Sequence, residues 1–200
     1  RRRSKAVRRF CRTPRTLFGV IALALIVLAA VFAPLVATHD PNVQNLRNRL
    51  APPSAEHWLG TDQFGRDTYS RIIYGGRVSL SVGFLSVGIA LAVGGLMGLL
   101  AGFYGGWIDR IISAISDVLL ALPGFLLALA IVAALGSSIV NVMIAVGVAT
   151  VPYFSRIMRS AVLTVREQDY VAAAEASGQR DSGIMLMHVL PNSLSPVIVQ

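Results

Sequence analysis

Cysteine is almost absent from this chain of 200 residues: the single Cys11 excludes an intrachain disulfide, and it lacks the His or Cys neighbours of a metal site or redox motif. Charge is scarce too. Only 14% of residues are Asp, Glu, Lys or Arg, far fewer than a water-exposed surface needs, whereas 54% are apolar and mean hydropathy is +0.65. The composition excludes an ordinary soluble domain and predicts an integral membrane protein. No G-x-x-x-x-G-K-[ST] run is present to cradle nucleotide phosphates. No nucleophile and base stand together around Ser193, and no repeated selectivity loop argues for an ion channel.

The formal charge of +8 does not point to nucleic acid. Eight of the 18 basic residues, Arg1, Arg2, Arg3, Lys5, Arg8, Arg9, Arg12 and Arg15, crowd into the first 15 positions, ahead of an apolar run. Such a cluster keeps its side of a membrane helix in the cytoplasm, so residues 1–16 read as a cytoplasmic arm and 17–37 as a first crossing. A cleaved signal peptide is the rival reading. Leu17 to Val36 is longer than a usual signal core, however, and Ala33-Pro34 is a poor cleavage site.

Residues 38–77 form a polar segment with Pro41, Pro52 and Pro53 and no periodic core pattern, placed outside the membrane. Further helices are predicted over about 78–104, 111–135 and 139–165, four crossings in all, returning the chain to the cytoplasm before Arg166. Gly94, Gly98 and Gly102 recur at i,i+4 in the second crossing. That spacing predicts close helix packing, either as ordinary bundle contact or beside a translocation path. Trp107 after Gly105-Gly106 suits a membrane interface. Asp117 reads either as an interfacial carboxylate or as part of an aqueous pathway, and Pro123 as a kink.

Residues 166–191 interrupt the apolar sequence with a polar helical pair. Good helix formers run to Ser177, Gly178 permits a sharp turn, and Asp181 or Ser182 is positioned to cap a second helix through Ile184, Leu186, Met187 and Leu190 that Pro191 ends. A polar shell around a small apolar ridge suits a groove on a soluble partner; a solvent-exposed connecting loop is the plainer alternative. A fifth helix starts at Ser193 but stops after eight residues, so the chain reads as incomplete at its C-terminus.

At these residues the sequence resembles the membrane subunits of ATP-driven binding-protein-dependent importers. Their coupling loop has a Glu-Ala-Ala start, a following Gly and an Ile-x-Leu-Pro end; here Gly178 and Leu190-Pro191 fit, while Ala172-Ala173-Ala174 replaces the start and His188 takes the Ile position. Tyr170-Val171-Ala172-Ala173-Ala174 and His188-Val189-Leu190-Pro191-Asn192 resemble the peptide and nickel branch. A second block, His57-Trp58-Leu59-Gly60-Thr61-Asp62-Gln63-Phe64-Gly65-Arg66-Asp67, is similar to the segment after the first span of the C-type permease subunit, and Tyr74 to Leu80 extends it.

The resemblance implies an all-α fold, a polytopic transmembrane bundle of the type I ABC importer permease kind in the inner (plasma) membrane. It implies a second homologous permease, two cytoplasmic ATPase subunits, an extracytoplasmic solute-binding protein and a short peptide as cargo, with nickel or another small solute as alternative, and no cofactor. On this reading Glu167, Tyr170, Ala173, Ala174, Gly178, His188, Leu190 and Pro191 form the ATPase-coupling loop. Taken without the resemblance, His57, Asp62, Arg66 and Asp67 invite a metal or acid-base reading, but their spacing matches no recognised ligand pattern and solvent-facing ion pairs explain them more simply. Trp58, Gly60, Asp62, Gly65, Arg66 and Asp67 are therefore expected to be structural: turns, an interface anchor and a polar brace. A non-transport membrane scaffold that docks soluble partners is the reading from a different class.

Overall fold

A computed structural model describes residues 14–199, so most of the basic arm and Cys11 lie outside the described residues. The described chain is helical: α1 (Pro14–Val31), α2 (Ala33–Val36), α3 (Thr68–Tyr104), α4 (Gly106–Ala121), α5 (Gly124–Leu135), α6 (Ile139–Arg166), α7 (Asp169–Ala176), α8 (Asp181–Ile184), a π turn (Met185–Val189) and α9 (Leu190–Val199). Among the described residues, three helices, α1, α3 and α6, are long and apolar enough to cross a membrane, and α4 with α5 adds a fourth span if the bent pair is one crossing. The chain divides into two compact units, residues 1–81 and 82–200.

In the first unit, α1 is apolar around its whole circumference, and Leu17, Phe18, Leu23, Leu25 and Ile26 are all exposed. A helix of that kind is stable in lipid, not in water. The segment after it is stitched by backbone hydrogen bonds rather than by a core: Asn45 N–H donates to Phe64 O, Leu50 N–H to Asp62 O and Thr61 N–H to Ala51 O. The sequence reading ran this irregular segment to residue 77. The structure instead starts α3 at Thr68, because the Asp67 carboxylate accepts the Ser70 N–H at 2.8 Å, the N-cap bond that satisfies one orphan donor of the first turn.

The second unit is built on α6. Its buried face, Val151, Ser155, Met158 and Val162, repeats at helical spacing and lies against the glycine face of α3. Residues 111–135, expected as one kinked crossing, are two helices meeting at 88°. Pro123 explains the break: Leu122 before it is extended, as a residue preceding proline prefers, and Pro123 then heads a new helix whose Leu127 N–H returns to the Pro123 carbonyl. The turn before α6 is closed by Asn141, whose amide donates to Leu135 O at 2.7 Å and Gly136 O at 3.0 Å, while Ser138 caps the helix by accepting the Asn141 N–H.

Two expectations for 166–191 are corrected. Neither Asp181 nor Ser182 caps α8; the N-cap residue is Arg180, without a side-chain hydrogen bond, and Asp181 stands in the first turn, where its charge favours the helix dipole. Pro191 does not end the second helix. The π turn bonds Leu190 N–H to Met185 O, and this wider register gives the proline ring room before α9 continues to Val199.

Candidate functional site

The hairpin that follows α6 has two unlike faces. Its inner face, Val171, Ala174, Ile184 and Val189, is buried in the same apolar cluster as Leu99 and Phe103 of α3 and Phe154, Met158 and Val162 of α6. Its outer face shows Tyr170, Leu186 and Met187, the last 71% exposed, with Glu167 and Ala173 also exposed. Burying Val171, Ile184 and Val189 stabilises the attachment by about 1.5–3 kcal/mol for each side chain. The sequence reading put Ile184, Leu186, Met187 and Leu190 on one ridge. The structure separates them: Ile184 is buried, Leu190 is partly buried against the cluster, and Leu186 and Met187 point away.

Gly178 sits at the apex with φ +75°, in the left-handed region that L side chains rarely adopt. Gln179 N–H donates to Ala174 O and Gly178 N–H to Glu175 O, the paired bonds of a Schellman motif that satisfy the last carbonyls of α7. His188 closes the hairpin from the other strand of the turn, with its Nε2 donating to Gln179 Oε1 at 3.0 Å, and Asn192 Nδ2 donates to the His188 carbonyl. Leu190 and Pro191 begin α9.

The glycine face of α3 decides how near α6 can come. A Cβ at Gly94 would overlap the Val151 carbonyl oxygen, one at Gly98 the Ser155 carbonyl oxygen, and one at Gly102 would stand 2.8 Å from Val162 Cβ. The three positions touch successive turns of α6, down to the buried cluster that anchors the hairpin. Two ion pairs tie α4 to the same helix. Arg159 donates from Nε and a terminal nitrogen to both oxygens of Asp109, at 2.5 and 2.6 Å, and Arg156 donates to Asp117 at 2.5 Å. The Asp117 pair is largely exposed, at 64% and 58% of the two side chains. The sequence showed the aspartates but not their partners on α6. Arg166 at the end of α6 adds a cation–π contact to Phe103.

In the first unit the 57–67 block folds as a tight polar loop. Gly60 and Gly65 both have φ +70°, and a Cβ at Gly65 would collide with the Asn45 backbone. Trp58 packs its ring against Tyr69 with centroids 5.0 Å apart. Asp62 accepts the Phe64 and Arg66 N–H groups and pairs with the guanidinium groups of Arg66 and Arg71. Burial pushes the Asp62 carboxyl up, but those two backbone bonds and the Arg66 side chain outweigh it and hold the carboxyl well below its usual range. Asp67 is not a solvent-facing partner. It is 2% exposed, caps α3, and meets His57 Nδ1 at 3.0 Å.

A family model described as "binding-protein-dependent transport system inner membrane component" matches residues 94–200. The chain belongs to this family. A second model, the N-terminal transmembrane domain of oligopeptide transport permease C, matches residues 3–53. Among curated relatives, the chain is 47% identical to a dipeptide transport system permease protein of Alkalihalophilus pseudofirmus over 98% of its own length, and 42% identical to a probable D,D-dipeptide transport system permease protein of Escherichia coli over 94%. A glutathione transport system permease protein of Pectobacterium atrosepticum is 40% identical over 96% of the chain. The chain spans 63–64% of the length of these three relatives. The all-α, multi-pass fold is that of a permease subunit.

Proposed function

We propose that this chain forms half of the translocation path of an ATP-driven importer of short peptides and couples that path to cytoplasmic ATPase subunits through residues 166–191. The observation that carries the reading is the two-faced hairpin: its inner residues share one buried cluster with α3 and α6, and its outer face offers Tyr170, Leu186 and Met187 to a partner. A push on the outer face therefore moves packed membrane helices instead of flexing a loop. Packed interiors transmit such displacements because they have little free volume.

The remaining parts follow from this role. The basic arm keeps the N-terminus in the cytoplasm, and counting α4 with α5 as one crossing brings the hairpin back to that side, with residues 38–67 outside. Two ATPase subunits supply the energy, a homologous permease forms the other half of the path, and a solute-binding protein delivers cargo to the outer face. The dipeptide, D,D-dipeptide and glutathione systems among the relatives support peptide over nickel or another small solute as cargo.

The test is ATP-dependent uptake of a labelled di- or tripeptide by proteoliposomes holding the full-length subunit with its genomic neighbours. Gly178→Pro forces φ from +75° to about −65°, a conformation the hairpin apex does not have. Uptake falling at least tenfold with the complex still assembled supports coupling through the hairpin. Vigorous ATP hydrolysis without uptake of any peptide counts against peptide cargo, and undiminished uptake with Gly178→Pro counts against the coupling role.

A further inference from the structure

The chain has three histidines, and two of them, His39 and His57, meet at one place although they stand far apart in sequence. Their rings lie 4.7 Å apart between centroids, over the buried Asp67 carboxylate. His57 Nδ1 is 3.0 Å from Asp67 Oδ1, and His39 Nδ1 is 4.0 Å from the same oxygen. One ligand atom from each of the three residues lies within 4.8 Å of the other two.

We propose that His39, His57 and Asp67 form a binding site for a divalent transition-metal cation of the Zn²⁺, Co²⁺ or Ni²⁺ class, a role beyond the transport reading and against the sequence expectation of no metal ligand here. Geometry is the first argument. Ligand atoms about 2.0–2.1 Å from a tetrahedral ion stand roughly 3.3 Å from one another, and the two distances measured to Asp67 Oδ1 fall on either side of that value. Two imidazoles and one carboxylate are the donor set that borderline first-row ions prefer.

Charge is the second argument. A buried carboxylate ordinarily has a full cation beside it. Among the described residues, the ion-pair partners of Asp67 are these two imidazoles alone, because Arg66 and Arg71 both turn to Asp62. The other Asp67 oxygen is held by the Ser70 N–H at 2.8 Å and, more weakly, by the Thr38 hydroxyl at 3.5 Å, which leaves Oδ1 for the ion. The three residues line a cavity of about 330 Å³ whose wall also carries Asp40 and Glu56, adding negative charge beside a cation.

As an acceptor-only carboxylate, Asp67 requires His57 Nδ1 to donate its proton in the present hydrogen bond. On binding, metal–nitrogen and metal–oxygen bonds replace that hydrogen bond, and the ring changes tautomer: Nδ1 gives its proton to solvent while Nε2 takes one up, so the imidazole stays neutral. His39 gives up its 3.0 Å contact with the Thr38 hydroxyl. The ion joins the chain that follows α2 to the first turn of α3, and the three protein ligands leave a fourth position for water. Sequence reasoning could not reach this site because His39 precedes the recognisable block and its distance from His57 matches no ligand pattern.

The experiment titrates the whole chain in detergent with Zn²⁺ by calorimetry and with Co²⁺ by visible absorption. One equivalent should bind at micromolar or lower concentration, with d–d bands of a four- or five-coordinate ion and no thiolate charge-transfer band. His39→Gln and His57→Gln should each weaken binding at least about tenfold, and His188→Gln should leave it unchanged. Melting of the metal-free variants checks that they fold. Should His57→Gln fail to fold, His39→Gln decides the matter, since its side chain is 37% exposed and no cap depends on it. Absent micromolar binding, unchanged affinity in both variants, or a thiolate band from Cys11 would each overturn the proposal.

Discussion

Gly98→Ala isolates the contact between α3 and α6. The added methyl would overlap the Ser155 carbonyl oxygen and stand 2.8 Å from Met158 Cβ and 2.9 Å from the Arg159 backbone nitrogen. Two of these three neighbours are backbone atoms of a packed helix, so α6 must move as a body. Overpacking of this kind costs about 1–3 kcal/mol. Against it, alanine gains about 0.5–1 kcal/mol over glycine within a helix. The propensity gain is removed by comparison with Gly88→Ala on the same helix, where no heavy atom lies within 4 Å of the new Cβ. The difference between the two variants should therefore be the contact cost itself, about 1–3 kcal/mol. Far-UV circular dichroism of the purified chain, followed through unfolding in mixed micelles, measures it. Equal stability of Gly98→Ala and Gly88→Ala would refute the packing account, and Gly94→Ala and Gly102→Ala should move in the same direction as Gly98→Ala.

The Asp109–Arg159 pair, with side chains 21% and 37% exposed, should show a coupling energy of about 0.5–1.5 kcal/mol in a double-mutant cycle of Asp109→Asn and Arg159→Met; the bidentate geometry raises it above a surface pair and partial exposure limits it. Asp62 gives the first unit an acid-sensitive contribution. Its folded pKa lies below the unfolded value of about 3.9, so this stability is present above pH 4 and is lost as pH falls through the folded value. Melting curves between pH 6 and pH 2 should show that loss, and Asp62→Asn should remove this part of the pH dependence. In a Cys11→Ser background, Glu167→Cys should react with an impermeant maleimide only after cells are opened; labelling of intact cells would place the hairpin on the other side.

The glycine face of α3 was readable as i,i+4 spacing because close helix approach leaves no alternative to small residues. The turn at Gly178 was equally visible, as was the polar character of residues 166–191. Other features depend on contacts that a linear reading does not carry. Asp109 and Asp117 are legible as charges, yet Arg159 and Arg156 reach them from another helix. Asp67 reads from sequence as a member of solvent-facing ion pairs; it is instead the buried cap of α3, which moves the helix start to Thr68. Hydropathy runs without interruption through Leu122-Pro123, so a right-angled break read as a kink. The Leu190-Pro191 stop signal failed because a π turn, which has no composition of its own, absorbs the proline.

The break between α4 and α5 sets a condition on its surroundings. The last turn of α4 ends in carbonyls that have no intrahelical donor, and Leu122 is extended. Hydrocarbon offers nothing to such groups, and each left bare at membrane depth costs several kcal/mol. Wherever this elbow lies within the bilayer, its open side must meet water or another protein. At membrane depth, residues 118–122 would be a stretch of the permease that lipid cannot wet.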